Sequence, residues 1–101
     1  MQNDTALHID YLGVKKSSLI LRALNHRLRQ QIVKILDEKP KITVTEIYKL
    51  LKLEQSVASQ HLAILRRVGI VKTQREGKFV YYNLNYDRIT QIQNVVNQLL
   101  K

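Results

Sequence analysis

The chain has 101 residues, of which 45% are hydrophobic, and it carries a formal net charge of +9. This length predicts one domain spanning residues 1–101, and no apolar run approaches the ~20 residues of a membrane-spanning helix. The absence of cysteine excludes disulfides, thiolate metal sites and cysteine-based redox switches. The start of the chain, MQNDTALHID, lacks the basic and apolar stretches of a secretory signal, so we expect a cytoplasmic protein.

The positive charge is concentrated in the middle of the chain. Residues 15–78 contain fifteen basic and five acidic side chains, a net charge of +10, whereas residues 1–14 carry −2 and residues 79–101 carry +1. A charge that served solubility alone would be spread along the chain. The distribution therefore predicts a polyanionic partner for the middle segment.

Two helices are predicted in the N-terminal part of the chain. Apolar side chains at helical spacing favour a helix over residues 5–24, with Gly13 as its weak point. Asn25 is a candidate N-cap for a second helix with its own apolar side. Lys39-Pro40 ends that helix, because proline cannot continue the hydrogen-bond ladder and disfavours a helical residue before it.

A helix-turn-helix is predicted next. Thr43-Val44-Thr45-Glu46 has the S/T-x-x-E form of a capping box, which marks the start of a short helix. Leu53-Glu54 is then a very short connection into a further helical stretch that runs to Gly69. Two helices joined by a tight turn, with the second polar on one side, are typical of this DNA-binding motif.

The stretch from Glu54 to Gly69 has one apolar side and one polar side. Ala58, Leu62 and Leu65 have the i, i+4, i+7 spacing of a single helix face. The intervening side chains both donate and accept hydrogen bonds, as base edges in a major groove require: Gln55, Ser56, Ser59 and Gln60. We predict that these four contact bases, with His61 close by. Taken alone, the stretch is equally consistent with an ordinary surface helix.

After Gly69 the pattern changes from that of a helix to that of a strand. IVKTQRE alternates, FVYYNL is rich in β-branched and aromatic residues, and Glu76-Gly77-Lys78 separates them, which predicts a two-stranded hairpin. An isolated hairpin is marginally stable, so it must pack on the helices. Arg75 and Lys78 at its tip are either simply solvated or, beside a recognition helix, reach phosphates or the minor groove. We predict the second.

The last predicted helix covers about residues 86–100, with Asn85 or Asp87 as its cap. Apolar side chains recur on one side at helical spacing, and the other side is Gln and Asn. This stripe either lies back on its own core or pairs with another helix. We expect the first and last helices, about residues 5–24 and 86–100, to form a homodimer interface that includes Leu7, Tyr11, Ile89, Ile92, Val96 and Leu99.

In this order the elements resemble the winged-helix repressors of the ArsR type, the arsenic-repressor family. The resemblance runs from about residue 21 to residue 84, through RALNHRLRQQIVKIL, VTEIYKLLKLEQSVASQHLAILRRVGIV and KTQREGKFVYYNL. It implies a mostly α fold with a small β-hairpin (α+β), the winged helix-turn-helix. It also implies a homodimer, built from the first and last helices, that represses transcription from a palindromic operator.

The sequence departs from this family at its metal sites. Many members carry Cys-x-Cys in the third helix, where this chain has Thr43-Val44-Thr45, and threonine is a poor ligand for a soft metal. A second family site uses Asp and His along the last helix, which here contains Asp87 and no histidine. We therefore expect no metal site and no cofactor, and none of the three histidines is a predicted ligand: His8, His26 and His61.

The pattern predicts sequence-specific binding of double-stranded DNA and no enzymatic activity. No Ser/His/Asp arrangement, glycine-rich phosphate loop or catalytic carboxylate pair is present. A winged-helix protein-interaction module without specific DNA binding is the alternative. RNA binding is less favoured, because Phe79, Tyr81 and Tyr82 are better explained by hairpin packing than as a stacking platform. No pattern points to a membrane or to a particular small-molecule effector.

Overall fold

Residues 7–101 are described by the computed structural model of the protein. They form five helices and a three-stranded antiparallel sheet, which confirms the predicted α+β class. In chain order the elements are α1 (Tyr11–Leu24), α2 (Arg27–Glu38), β1 (Ile42–Thr43), α3 (Val44–Leu51), α4 (Gln55–Arg67), β2 (Val71–Glu76), β3 (Phe79–Leu84) and α5 (Tyr86–Leu99). None of these helices is both long enough and apolar enough to cross a membrane.

Helix α1 starts later than the sequence pattern predicts. Residues 7–10 are not helical, so the predicted start at residue 5 is wrong for them, and residues 5 and 6 lie outside the described part of the chain. The physical reason is a cap: the Asp10 Oδ1 atom accepts a hydrogen bond from the Gly13 amide at 2.9 Å. A Cβ atom at Gly13 would overlap the Asp10 carboxylate, so glycine makes room for this cap.

Helix α2 is capped by His26. The predicted N-cap, Asn25, is therefore wrong. The His26 Nδ1 atom accepts a hydrogen bond from the Leu28 amide at 3.1 Å. Asn25 instead ends α1, where its amide donates to the Leu21 and Arg22 carbonyls. Helix α2 ends at Glu38, ahead of Pro40 as predicted.

The sheet contains a strand that the sequence did not reveal. Strand β1 pairs with β3, placing Ile42 opposite Tyr82 and Thr43 opposite Tyr81, so the strand order is β1-β3-β2. A two-residue strand is too short to show a periodicity, which is why the pattern predicted only the β2–β3 hairpin. Through β1 the hairpin is hydrogen-bonded to the residue that starts α3.

Thr43 and Glu46 form the predicted capping box at the start of α3. The Thr43 Oγ1 atom accepts from the Glu46 amide at 3.3 Å, and the Glu46 carboxylate accepts from the Thr43 amide at 3.1 Å. Two backbone donors at the helix start are thereby satisfied, a contribution of roughly 0.5–2 kcal/mol to helix stability.

One hydrophobic core joins all five helices to the sheet. Its buried members are Ala23, Ile32, Leu36, Ile42, Ile47, Leu62, Leu65, Ile70, Val71, Leu84 and Ile92. Full burial of an Ile or Leu side chain contributes about 1.5–3 kcal/mol relative to exposure. Since Leu62 and Leu65 fix one side of α4 in this core, the opposite side of that helix is left facing solvent.

Candidate nucleic-acid interface

The turn before α4 is tight and uses a left-handed residue. Helix α3 ends at Leu51, and Lys52 has φ +55° and ψ +45°. The Leu53 amide donates to the Tyr48 carbonyl at 2.9 Å, which closes the end of α3. Two residues later α4 begins, so the predicted helix-turn-helix is formed.

Helix α4 presents the two sides that the sequence predicts. Ala58, Leu62 and Leu65 are buried in the protein. The exposed side consists of Gln55, Ser56, Ser59, Gln60, Ala63, Arg66 and Arg67. The four predicted base-contacting residues therefore lie together on the solvent side of α4.

His61 lies apart from these four residues, on the flank of α4 that faces α2. Its Nδ1 atom is 3.2 Å from Nη1 of Arg29, and its ring centroid is 4.7 Å from that of His26. Burial lowers the pKa of His61, and the nearby His26 and Arg29 lower it further. His61 is consequently a neutral packing residue at pH 7, with its imidazole turned toward the protein.

Arg29 is a buried charged residue that the sequence analysis did not single out. It is only 8% exposed, and its Nε atom donates to the Ala23 carbonyl at 2.6 Å. Its Nη2 atom donates to the Arg22 carbonyl at 3.3 Å. The available signal was its position three residues before Ile32, on the buried side of α2, where a charged residue needs specific partners.

Arg75 and Lys78 are both exposed at the tip of the hairpin. Arg75 is paired with Val80 across the hairpin, and Gly77 in the turn has φ +63°. Lys78 places its Nζ atom 5.4 Å from the centroid of the Phe79 ring. Neither cation has a carboxylate partner within the described residues, so both charges are available to an anionic ligand.

Glu76, the acidic residue of the tip, is engaged by Lys41. The Lys41 Nζ atom lies 2.8 Å from the Glu76 carboxylate and 4.9 Å from the centroid of the Tyr81 ring. The hydrogen bond to Glu76 raises the pKa of Lys41. An exposed pair of this kind adds little stability, but it offsets the negative charge at the tip of the β2–β3 hairpin, which is the wing of this fold.

A cleft of about 380 Å³ lies between α4 and the sheet. Ser59, Ala63, Arg66 and Arg67 line it from α4, and Tyr82 lines it from β3. The basic end of α4 and the hairpin thus share one surface. Arg66 and Arg67, in the last turn of α4, extend the polar side of that helix with two positive charges.

Comparison with known proteins places this arrangement in a family. The sequence profile of the bacterial regulatory protein, arsR family, matches residues 26–73, which span α2 and the helix-turn-helix. The transcriptional repressor PagR of Bacillus anthracis is 32% identical over 91 residues, which make up 90% of this chain and 91% of PagR. The chain belongs to the ArsR family.

Other similar proteins are also regulators of transcription. The transcriptional activator HlyU of Vibrio cholerae is 34% identical over 84 residues, covering 83% of this chain and 77% of HlyU. The crystal structure of PagR matches with a TM-score of 0.68 at 30% identity, over 89% of this chain and 99% of that chain. This ArsR-family chain is accordingly a DNA-binding transcriptional regulator.

A solution structure supports the winged-helix fold. The homodimeric winged helix-turn-helix DNA-binding domain of Mb0332 from Mycobacterium bovis matches with a TM-score of 0.73. The match covers 96% of this chain and 94% of that domain at 24% identity. At this identity the comparison establishes the fold alone.

The terminal helices of this ArsR-family chain and the residues that flank them expose apolar side chains. Leu7, Tyr11 and Leu99 are 83%, 73% and 69% exposed. Ile92, by contrast, is only 9% exposed and belongs to the core of the protomer. Two further predicted interface residues, Ile89 and Val96, are half-buried against that core. The exposed apolar surface is completed by Leu12, Val14, Leu19, Val95 and Leu100.

The histidines and carboxylates of the described part of the chain do not gather into a metal-binding cluster. Within residues 7–101, no group of three or more His, Cys, Asp or Glu side chains could hold a metal ion. Thr43, at the place where many ArsR-family members have a thiolate, is engaged in the capping box of α3. Asp87, the acidic residue of α5, lies in the first turn of that helix. The absence of a metal response stays a prediction.

Proposed function

We propose that this protein is a repressor that binds a palindromic operator in double-stranded DNA as a homodimer. The observation that carries the proposal is the solvent side of α4, where Gln55, Ser56, Ser59 and Gln60 lie together. No intrachain side-chain hydrogen bond engages these four groups within residues 7–101. Their donors and acceptors are therefore available to base edges.

The charge distribution supports a duplex as the partner of this surface. Arg66 and Arg67 end α4, and Arg75 and Lys78 stand at the tip of the hairpin, all exposed. Lys and Arg side chains on both sides of a helix that enters the major groove are placed to contact phosphates. In this arrangement α4 supplies sequence preference and the wing supplies affinity.

The exposed apolar side chains of α1 and α5 support a homodimer. Tyr11, Leu12, Leu99 and Leu100 are more than half exposed in a chain of high net charge. Large exposed apolar side chains on the terminal elements of a chain are a feature of protein–protein interfaces. A two-fold axis through these helices would place two copies of α4 about one turn of DNA apart, ~34 Å, which explains how one short helix can specify a site.

The comparison of PagR with HlyU favours repression, because the chain matches a larger share of the PagR sequence than of the HlyU sequence. PagR is named a repressor and is matched over 91% of its sequence, whereas HlyU, named an activator, is matched over 77%. A small protein that covers the major groove over two half-sites blocks access of other proteins to the same DNA. The proposed mechanism is therefore occlusion.

Selection of binding sites from random duplex DNA tests this function. The purified protein should enrich an inverted repeat whose half-sites are centred about one helical turn apart. A matched pair of variants sharpens the experiment: Gln60→Ala should change the enriched sequence, whereas Gln31→Ala, an exposed glutamine on α2, should not.

Two other outcomes would contradict the proposal. A single unrepeated half-site would overturn the homodimer model while leaving DNA recognition intact. Failure to enrich any sequence would favour the alternative, a winged-helix protein-interaction module without specific DNA binding.

A further inference from the structure

The buried guanidinium of Arg29 connects three helices. The residue belongs to α2, its Nε and Nη2 atoms donate to the Ala23 and Arg22 carbonyls at the end of α1, and its Nη1 atom reaches His61 on α4. A guanidinium has five donors, no acceptor and a charge that is not lost at any ordinary pH. Burial of this charge is tolerable only while its acceptors stay in place.

The acceptors at the end of α1 are suited to a cation. The last carbonyls of a helix lack helical partners and carry the negative end of the helix dipole. Since α1 supplies two acceptors at 2.6 and 3.3 Å, the guanidinium is fixed relative to α1 and α2. Its remaining contact, to Nδ1 of His61 at 3.2 Å, then fixes α4 relative to that pair.

The contact determines the protonation of His61. Because the guanidinium can only donate, Nδ1 of His61 must accept, and the ring proton is on Nε2. The titratable and charged groups that face the imidazole are Arg29 of α2 and His26, the N-cap of α2. A proton on Nδ1 would place two cations 3.2 Å apart and remove the acceptor.

We propose that Arg29 is a positioning residue for the recognition helix, acting through the neutral imidazole of His61. His61 follows Ser59 and Gln60 directly in α4, so its contact with Arg29 adds to the buried Leu62 and Leu65 in holding the rotation of α4 about its own axis. That rotation decides where the adjacent polar side chains point. The effect on operator binding rests on the proposed function, whereas the contact itself does not.

Two substitutions at His61 separate positioning from simple packing. His61→Asn retains an oxygen acceptor near the position of Nδ1 and does not titrate, whereas His61→Leu removes the acceptor. Loss of a hydrogen bond to a buried charged group corresponds to about a tenfold or greater loss in an equilibrium constant. We expect His61→Leu to weaken operator binding by about that factor at neutral pH, and His61→Asn to stay close to the wild type.

The pH profile of operator binding provides a second readout. As the pH falls below about 6.5, the ordinary pKa of histidine, the wild-type affinity should fall once His61 takes up a proton, and His61→Asn should lack this component. If His61→Leu does not fold, the comparison of pH profiles between His61→Asn and the wild type still tests whether His61 positions α4. The proposal is overturned if His61→Asn has the same pH profile as the wild type, or if folded His61→Leu binds with unchanged affinity.

Hydrogen exchange in the free protein tests the contact between Arg29 and His61, here called the clamp, without DNA. In the wild type, the amides in the middle of α4 should lose protection as the pH falls through the titration of His61, after correction for the intrinsic exchange rate. In His61→Asn their protection should be insensitive to that change. A chain that shows this behaviour and binds no operator would refute the proposed function and retain the clamp, whereas equal protection in both proteins would overturn the clamp.

Discussion

Gln60 is the single side chain on which the recognition of bases can be tested most directly. It is exposed on the solvent side of α4, and its amide can donate and accept at one base edge. We expect Gln60→Ala to weaken operator binding by roughly 1–3 kcal/mol and to relax the preference at one base pair. Fluorescence anisotropy with a set of single-base operator variants measures both effects.

Gln31→Ala is the matched control for this experiment. It makes the same chemical change on an exposed part of α2, and it should leave affinity and preference unchanged. An unaltered preference in Gln60→Ala would mean that α4 meets DNA with a different side.

The protonation of His61 makes a prediction about stability that does not involve DNA. Its pKa in the folded protein lies below that of an unfolded chain, because burial, His26 and Arg29 all disfavour the charged form. The unfolded state therefore binds protons more readily, so stability is complete above about pH 6.5 and declines as the pH falls toward the folded pKa.

Urea titrations across this pH range give the free energy of unfolding. The slope between about pH 6.5 and pH 5 should be smaller in His61→Asn than in the wild type, because Asn does not titrate. Identical slopes would assign the acid sensitivity to other groups.

Single residues also show what the sequence could and could not predict. The capping box of Thr43 and Glu46 was predictable because both partners lie within four consecutive residues. The burial of Arg29 was signalled by its position on the apolar side of α2, but its partners, two carbonyls of α1 and a ring on α4, were not predictable from neighbouring residues. The proximity of His61 to DNA stays a prediction, and its contact with Arg29 could not be inferred from neighbouring residues.

At the scale of elements, the wing is expected to add affinity without sequence preference. Arg75 and Lys78 are exposed, and Glu76 between them is occupied by Lys41. Each phosphate contact that is lost should reduce the slope of log K against log salt by about 0.9. We expect Arg75→Gln with Lys78→Gln to flatten this slope and to leave base preference intact, as titrations at several salt concentrations can show.

Lys101→Gln provides a control for the removal of positive charge outside the wing. It removes one positive charge outside the basic middle segment. A slope that is unchanged in the Arg75/Lys78 double variant would reduce the hairpin to a structural role.

The turn between α3 and α4 carries a strained residue. Lys52 occupies the left-handed region at φ +55°, which is unfavourable for a residue with a Cβ atom. We expect Lys52→Gly to raise the free energy of unfolding by about 0.5–1 kcal/mol. The same change at Lys49, inside α3, should lower it by about 1 kcal/mol, and chemical denaturation of the two variants compares them.

The elements were predictable where a long periodic pattern existed. Helices α2 and α4 and the hairpin have such patterns, and all three are present. Strand β1 consists of Ile42 and Thr43 and is defined only by its pairing with β3, so no pattern of its own could indicate it.

At the scale of the whole molecule, assembly can be separated from folding. Leu99 is largely exposed and Ile92 is buried in the core of the protomer. We expect Leu99→Glu to dissociate the homodimer and weaken operator binding while the protomer stays folded. Ile92→Glu should instead destabilise the protomer by 3 kcal/mol or more, roughly, because it buries an unpaired charge.

Sedimentation over a range of concentrations, with circular dichroism on the same samples, distinguishes the two effects. A wild-type chain that stays monomeric at micromolar concentrations and still binds an operator specifically would contradict the homodimer model.

The pairing of β1 with β3 has a consequence for how the molecule reaches its native state. Thr43 caps α3 and is also paired with Tyr81, far along the chain. The start of the helix-turn-helix is therefore completed only after a long loop closes, an event that slows folding more than local helix formation does. A fragment that stopped after α4 would lack this partner strand and the buried Ile70, Val71 and Leu84, so we expect the recognition helix to be less stable without the hairpin than in the whole chain.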